Sequence, residues 1–276
     1  MKLISKGFFI LIFTCLLAIN SKAQKIQHEE NWNFYITEYD SLLISNFLDL
    51  ELVKIAPILQ ADQLLSIKIK LKYPQENGLS SNEEFDDLNK IEDKLIEILN
   101  DINLIYYAGR STANGFRIFY FYTDQNFNLE TNNQHLKTNI LNYDLDISLE
   151  NDKEWNHYLT VLFPDEEEMQ MIQNLDLITY IEDQGDDLSK EREVYHWLYF
   201  KTKNDRANFI KEIISTEFKI ISEDYHKDIE DYKYSLTISR IDYIDWESIN
   251  DIVISLMRLS KQNNGEYDGW ETSLEK

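Results

Sequence analysis

Hydrophobic and polar residues alternate along several short stretches in the first half of the chain, and this period of two predicts β-strands. Two such runs, Trp32–Tyr39 and Leu42–Leu50, flank Asp40-Ser41, a dipeptide typical of a tight turn. We therefore expect a β-hairpin at the start of the folded chain. The next run, Leu64–Tyr73, alternates apolar residues with lysines over its second half, as in a strand that is buried on one face.

A helix is predicted after the turn signal Asn77-Gly78. Ser81 and Glu84 have the spacing of a capping box, so we expect them to start this helix. The apolar residues that follow recur at helical spacing and predict one buried face. They are Phe85, Leu88, Ile91, Leu95, Ile98 and Leu99.

Four more elements complete the first half. Strands are predicted at Ile102–Gly109 and Phe116–Thr123, and Asn114-Gly115 between them favours a hairpin turn. A short helix near Leu129–Asn139 and a strand near Tyr143–Leu149 follow. From Leu64 onward the predicted order is β-α-β-β-α-β, the connectivity of a ferredoxin-like sandwich.

The second half repeats this order of elements. A strand is predicted at Trp155–Phe163, and Pro164-Asp165 then begins a helix whose acidic first turn suits the positive end of the helix dipole. Gln184-Gly185-Asp186-Asp187 is expected to be a solvated loop near the domain boundary. The six elements predicted after it are strand Val194–Lys201, a helix capped at Thr202, strands Phe218–Ser222 and Tyr234–Ile241, a helix over Trp246–Lys261 capped at Asp245, and a closing strand from Gly265. The expected fold class is thus α+β, with an N-terminal β-hairpin and two ferredoxin-like (βαββαβ) sandwiches in tandem.

The first 23 residues have the pattern of a signal peptide. Lys2 and Lys6 precede an apolar run, Phe8 to Ile19, and Ser21-Lys22-Ala23 offers a small-x-small cleavage site. We expect cleavage after Ala23 and a secreted or periplasmic mature protein without a membrane span, and an uncleaved N-terminal anchor is the alternative. The expected domains are then 31–163 and 165–276. The single cysteine, Cys15, would leave with the leader, so no disulfide is expected.

Composition narrows the classes of partner. The 276 residues include 50 acidic and 27 basic ones, which gives a formal net charge of -23 at pH 7. Because such a field repels phosphates and the basic residues form no long cluster, direct binding to nucleic acid is not expected. A protein partner with a basic segment fits the charge, and a merely solubilising acidic surface is the simpler interpretation.

Signatures of enzymes and metal sites are largely missing. The seven glycines form neither a nucleophile elbow nor a phosphate-binding loop, and the five histidines contain no His-Glu-x-x-His. We therefore expect no cofactor and no metal. Pairs of carboxylates that hydrolyse glycosides cannot be singled out among so many acids. A hydrolase that uses unidentified carboxylates stays open as the alternative.

Two groups of residues are candidates for a site. The terminal motif contains two of the seven glycines, and consists of Gly265, Glu266, Tyr267, Asp268, Gly269 and Trp270. Its aromatic residues would serve either as anchors for a partner or as core of the last strand, with Gly269 allowing a β-bulge. Arg110 and Arg117, two of six arginines, flank the Asn114-Gly115 turn. They would form an anion clamp or neutralise nearby acids.

The second half, from about Asp165, resembles the RraB family of regulators that inhibit ribonuclease E. The Glu-Tyr-Asp-Gly-Trp string after a long amphipathic helix, with the block from Lys190 to Thr202 before that helix, carries the resemblance. The first half is similar to a bacterial family known as domain of unknown function six-nine-five. The matching strings are Trp32-Asn33-Phe34-Tyr35, Ile91-Glu92-Asp93-Lys94-Leu95, Ala108-Gly109-Arg110 and Phe119-Tyr120-Phe121-Tyr122.

The resemblance implies an acidic, non-catalytic α+β module that acts by binding another protein. Ribonuclease E is cytoplasmic, whereas we expect this chain to carry an export signal. The resemblance therefore implies a fold and a protein-binding mode of action, and it does not identify the protein that is bound. A deep pocket with converging, perturbed carboxylates would favour an enzyme, and a shallow face of aromatic and acidic residues would favour binding.

Overall fold

A computed structural model describes residues 25–101, 104–228 and 230–275. The predicted leader, with Cys15, lies outside these residues. Among the described residues, no helix has the length and apolar character needed to cross a membrane. The protein is α+β, with two separate antiparallel sheets, and it begins with the predicted hairpin.

The first half forms a six-stranded antiparallel sheet and two main helices. Its elements are β1 (Trp32–Tyr39), β2 (Leu42–Asp49), β3 (Gln63–Lys70), α1 (Phe85–Asn100), β4 (Ile105–Ala113), β5 (Phe116–Thr123), α2 (Leu129–Asn139) and β6 (Leu145–Asn151). The strands lie in the order β1-β2-β4-β5-β3-β6. The hairpin β1–β2 therefore extends the sheet beyond β4.

Both predicted hairpin turns are confirmed. Asp40 and Ser41 have φ angles of 50° and 63°, and Asn114 and Gly115 have φ angles of 50° and 75°. Two consecutive positive φ angles match the right-handed twist of the strands that such a turn joins. Asn and Asp tolerate this backbone conformation better than most residues, which is why the dipeptides were informative.

This first sheet is covered on both faces. On one face, α1 and α2 contribute Leu88, Leu95 and Leu136 to a buried cluster with the strands. On the other face, a second cluster contains Tyr35, Tyr106 and Tyr122 of the strands together with the segment after β6. Strands β3, β4 and β5 are therefore buried on both sides, whereas the hairpin β1–β2 keeps partly exposed side chains such as Phe34.

The strand predicted at Trp155–Phe163 is wrong, because His157–Leu162 forms a π-helical turn. Trp155, Tyr158 and Leu162 are fully buried, and their spacing is helical rather than alternating. The Trp155 ring stacks on Tyr122 at 3.8 Å between centroids, and its Nε1 donates to the Ala61 carbonyl at 2.8 Å. This packing places the three side chains on one side of a helix-like turn.

The capping box predicted at Ser81 and Glu84 is also wrong. The Glu84 carboxylate turns into the first half's interior, where it accepts bonds from the backbone N–H groups of Lys72 at 2.9 Å and Tyr73 at 3.0 Å. The Tyr143 hydroxyl donates to it as well. Glu84 therefore satisfies donors of a distant segment instead of its own helix start.

The second half forms a four-stranded antiparallel sheet in the order β10-β7-β9-β8. Its elements are α3 (Glu166–Asp183), β7 (Arg192–Phe200), α4 (Lys203–Ile213), β8 (Lys219–Tyr225), β9 (Tyr234–Asp242), α5 (Trp246–Gln262) and β10 (Gly265–Thr272). The predicted caps at Thr202 and Asp245 are confirmed by side-chain hydrogen bonds. Strand β8 extends three residues past the predicted Ser222.

Helix α3 belongs to both halves. Its Ile172 lies in a cluster with Tyr35 of the first half, whereas its Ile178 and Ile181 pack with Val194 of the second half. Residues near its start also pair with α5: Arg258 binds Glu167 through two bonds of 2.9 and 2.6 Å. One helix thereby joins the two sheets.

The loop after α3 is not simply a solvated acidic turn. The Asp186 side chain is fully buried and its Oδ2 accepts from Arg192 Nη1 at 2.7 Å. The same Oδ2 accepts from the backbone N–H of Glu275 at 2.6 Å. Burial would raise the pKa of Asp186, but the hydrogen bonds from Arg192 and Glu275 outweigh it and hold the pKa below its ordinary value.

Candidate protein-binding face

The terminal motif forms most of β10, the edge strand that pairs with β7. The pairing shifts between Tyr267 and Gly269, which is a β-bulge at Asp268. Gly269 has a φ of 157°, and Gly265 lies so close to Phe200 that an added Cβ would meet its ring at 2.5 Å. The two glycines therefore serve the geometry of this strand.

Trp270 lies in the core of the second half, with 7% of its side chain exposed. Its Nε1 donates to Asn174 Oδ1 at 2.9 Å, and Asn174 itself is fully buried on α3. Asn174 Nδ2 in turn donates to Asn250 Oδ1 of α5 at 2.8 Å. The tryptophan is thus a packing residue that ties β10 to two helices through a satisfied amide network.

Tyr267 also points to the helix side of the sheet. Its hydroxyl is hydrogen-bonded to Nδ1 of the fully buried His196 at 2.8 Å. Burial, with the nearby Arg240 charge, lowers the pKa of His196 to about 3, so this imidazole is neutral at physiological pH. The imidazole thus packs in the interior of the second half, where it links β7 to β10 through the Tyr267 hydroxyl.

The outward side of the same sheet has a different character. Residues of a strand alternate between its two faces, and Val194, His196 and Leu198 of β7 face the helices. The intervening residues Tyr195 and Trp197, with Tyr199, are half-buried and belong to none of the buried clusters. The described helices that pack on this sheet, α3, α4 and α5, all lie on the inward side.

Acidic residues lie along one side and at the start of this aromatic row. In the pairing of β10 with β7, Glu266 lies opposite Tyr199, and Glu271 lies opposite Tyr195. Glu193 precedes the row on β7, and its Oε1 accepts from Ser239 at 2.8 Å. Hydrogen bonds from Ser239 and Tyr195 lower the pKa of Glu193 and keep it ionised. We call this surface the open face, defined by Glu193, Tyr195, Trp197, Tyr199, Glu266 and Glu271.

The sequence did not single out the open face. Both alternating sets of β7, Val194-His196-Leu198 and Tyr195-Trp197-Tyr199, are apolar or aromatic, so periodicity alone does not tell which set is inward. The local signal for the outward side was the glutamates that precede the row on β7 and border it on β10. The surface combines half-buried aromatic side chains with acidic residues beside them.

Arg110 and Arg117 are held inside the first half. Arg110 Nε donates to Glu92 of α1 at 2.7 Å, and its guanidinium lies over the Phe47 ring. Arg117 is 4% exposed and donates to Thr112 Oγ1 at 3.0 Å. Burial and the neighbouring Arg110 charge lower the pKa of Arg117 to about 10. The two guanidinium groups are therefore directed toward the protein's own groups.

Other shifted carboxylates also have structural partners. Burial would raise the pKa of Asp152, but bonds from the Tyr122 hydroxyl and from the N–H groups of His157 and Asn156 lower it overall. Glu84 follows the same pattern, with Tyr143 as its hydroxyl donor. Within the described part of the chain, no cluster of His, Cys, Asp or Glu side chains has a geometry that could hold a metal ion.

Fold and surface together define a two-sheet α+β protein with one sheet covered on both faces and the other open on one face. Residues 30–163 match the family of unknown function DUF695, and residues 171–272 match Regulator of ribonuclease activity B. The chain therefore joins a DUF695 domain to an RraB domain, as the sequence resemblance indicated.

Other comparisons add little. No curated protein matches the chain. One solved structure, titled as an unknown protein from Galdieria sulphuraria, is similar at 11% identity with a TM-score of 0.23, over 77% of this chain and 98% of that one. A similarity this weak supports no conclusion about fold or function.

Proposed function

We propose that the protein is an exported, non-catalytic regulator that binds another protein through the open face of its RraB domain. The carrying observation is the outward-facing, half-buried row Tyr195, Trp197 and Tyr199 with acids at its border, in the half that matches the regulator family. Tyrosine and tryptophan are the residues that most often anchor protein interfaces, because they bury a large rigid area at low entropic cost.

The acids at the border favour a partner with a basic segment. Glu266 and Glu271 flank the aromatic row, and the whole chain has a net charge of -23. Opposite charges at the edge of an interface raise the rate of encounter more than the affinity itself. A lysine- or arginine-containing segment would approach the open face quickly and be retained by the aromatic side chains.

An open sheet with aromatic residues also suits the stacking of nucleic acid bases. Such sites combine stacking with basic residues that bind the phosphate backbone. Here the aromatic row has Glu193, Glu266 and Glu271 around it, and Lys219 is held at 3.4 Å by Glu193. The acidic border therefore favours a polypeptide over a nucleic acid.

The proposal also covers the fold class of each half and the cellular location of the protein. The strand orders support a ferredoxin-like classification of both units, each with its own core. These orders are β4-β5-β3-β6 in the first sheet and β10-β7-β9-β8 in the second. Export rests on the leader pattern of Met1 to Ala23. Intact-mass measurement on protein isolated from its own cell tests export, since cytoplasmic protein that retains the leader would contradict it.

Capture experiments test the binding proposal. The chain beginning at Gln24 is used as bait for an envelope extract, beside Trp197→Ala and a double variant, Glu266→Lys with Glu271→Lys. We expect both variants to lose a partner that wild type retains, and the control Tyr225→Ala, at an exposed position on the far edge strand, to keep it. Added salt should slow association, because it screens exposed charges beyond about 8 Å at physiological strength.

Two results would contradict this function. A partner held equally by wild type, Trp197→Ala and the charge variant, all with unchanged melting, would place binding elsewhere. Turnover of a substrate by the purified protein would show that it is an enzyme.

A further inference from the structure

A second surface lies where the two family domains meet. Trp32 and Phe34 of β1 and Phe47 of β2 lie on one face of the hairpin that extends the first sheet beyond β4. The Trp32 and Phe47 rings stack at 5.1 Å between centroids, and Trp32 also contacts the Tyr107 ring at 5.1 Å. The hairpin therefore presents a continuous aromatic floor.

Helices border this aromatic floor on two sides. On one side, a cavity of about 360 Å³ separates the floor from Leu175, Thr179 and Tyr180 of α3. On the other side, a cavity of about 230 Å³ separates it from Glu92 and Ile96 of α1. Both cavities are lined by Trp32 and Phe47, so the same two rings border each of them. We call the two adjoining cavities together the α1–α3 groove.

Each family domain supplies one part of the groove. The floor and α1 lie within residues 30–163, and the α3 wall lies within residues 171–272. Neither domain alone has both walls. Phe34 and Tyr180 are 45% and 61% exposed, an unusual exposure for aromatic residues that face each other across a cavity.

On the α3 side, the charges of the groove favour a cationic occupant. Asp176 and Asp183 of α3 line it, are exposed, and have no ion pair with any residue the structure describes. At the other end Glu30 lines the cavity, and the ammonium group of Lys25 already lies 5.3 Å from the centre of the Tyr106 ring. A lysine of the protein itself thus occupies one end over an aromatic ring.

We propose that the α1–α3 groove binds an amphipathic peptide segment that places apolar or aromatic side chains between Phe34 and Tyr180 and lysine or arginine against Asp176 and Asp183. Helices and extended segments that dock in such grooves are recognised by a few apolar anchors, with charges setting orientation. This surface is separate from the open face, and it gives a physical reason for joining the two domains in one chain.

The test uses a display library of random-sequence peptides selected against the full mature chain, followed by binding of the selected synthetic peptides in solution. We expect selected peptides to combine basic with apolar residues. Phe34→Ala and Tyr180→Ala should each weaken their binding by about tenfold, as expected for loss of one anchor. Tyr39→Ala is the matched control, since Tyr39 lies on the same strand and is 70% exposed.

A second pair of variants separates the groove from the general acidity of the chain. Asp176→Lys with Asp183→Lys should weaken binding, whereas Asp146→Lys with Glu150→Lys on β6, which changes the net charge equally, should not. Trp197→Ala should leave peptide binding unchanged, so failure of the open face and failure of the groove are distinguishable.

Three outcomes would overturn the proposal. These are selected peptides that bind Phe34→Ala and Tyr180→Ala as well as wild type, equal weakening by both charge variants, and selected peptides that lack basic residues.

Discussion

Replacing Trp270 with alanine is the sharpest test of how the terminal motif works. The side chain is 7% exposed and packs with Ile178, Val194 and Met257 in the core of the second half. Its Nε1 donates to Asn174 at 2.9 Å. The change therefore removes a large buried ring and one hydrogen bond, and it alters no residue of the open face.

The expected loss of unfolding free energy follows from these contacts. Truncating a buried Phe or Trp to alanine costs about 3–5 kcal/mol, because the transfer free energy is lost and a cavity remains. The Asn174 oxygen keeps its bond from Gln170 at 3.0 Å, so it is not left without a donor. We therefore expect a value within that range and no further penalty. Trp270→Phe keeps most of the ring and should cost about 1–2 kcal/mol, in line with loss of one buried hydrogen bond.

Urea unfolding followed by circular dichroism measures this difference on the full mature chain, with amide hydrogen exchange to assign the loss to β7 and β10. Tyr195→Ala on the open face is the control and should change stability much less. A loss below about 1 kcal/mol for Trp270→Ala would refute the packing role, because it would lie outside the range for buried aromatic residues. Unchanged stability with loss of a partner would make Trp270 an interface anchor.

Three further changes have defined outcomes. Gly265→Ala should destabilise the sheet, because the new Cβ would meet the Phe200 ring at 2.5 Å. Thermal unfolding measures this loss, and Gly185→Ala is the comparison, since its position has open space but a φ of 79°. Asp186→Asn should cost about 3–5 kcal/mol, as for removal of one partner from a buried ion pair, whereas Asp187→Asn at the exposed neighbour should leave stability near wild type in the same assay. The pKa of Glu84 is held below its ordinary value of 4.5. Its contribution to the free energy of unfolding is therefore present above pH 4.5 and is lost as the pH falls through the lowered value of the folded state. Glu84→Gln should make the free energy of unfolding less dependent on pH in this acid range.

Local signals in the sequence predicted the turns and most element boundaries. Asp40-Ser41 and Asn114-Gly115 gave both hairpins, since few residue pairs adopt two positive φ angles. Thr202 gave a helix start because a capping side chain bonds within its own turn. These features depend on neighbours in the chain, and a single sequence contains that information.

Features that depend on distant partners were missed. Glu84 has the spacing of a capping residue, yet it binds the N–H groups of Lys72 and Tyr73 and the hydroxyl of Tyr143. Trp155 begins an apolar run of strand-like composition, but stacking on Tyr122 selects a helical turn. In both cases a contact with another segment of the chain outweighs the local preference, and the partner lies more than ten residues away.

The candidate site shows the same division. The glycines of the terminal motif indicated a bulged strand, which follows from backbone geometry. Which aromatic residues face outward depends on where α4 and α5 pack, and β7 is apolar on both alternating sets. The sequence therefore identified the strand pair that builds the open face without identifying its exposed side.

Helix α3 fixes the relation between the two proposed surfaces. Its Tyr180 and Asp183 line the groove, while its Asn174 holds Trp270, which is part of the strand bordering the open face. Because the same helix packs in both halves, the spacing of the two surfaces is set by the fold and not by a flexible linker. A client that engages both would bind the second at a high effective concentration, so modest affinity at each would combine into a stable complex.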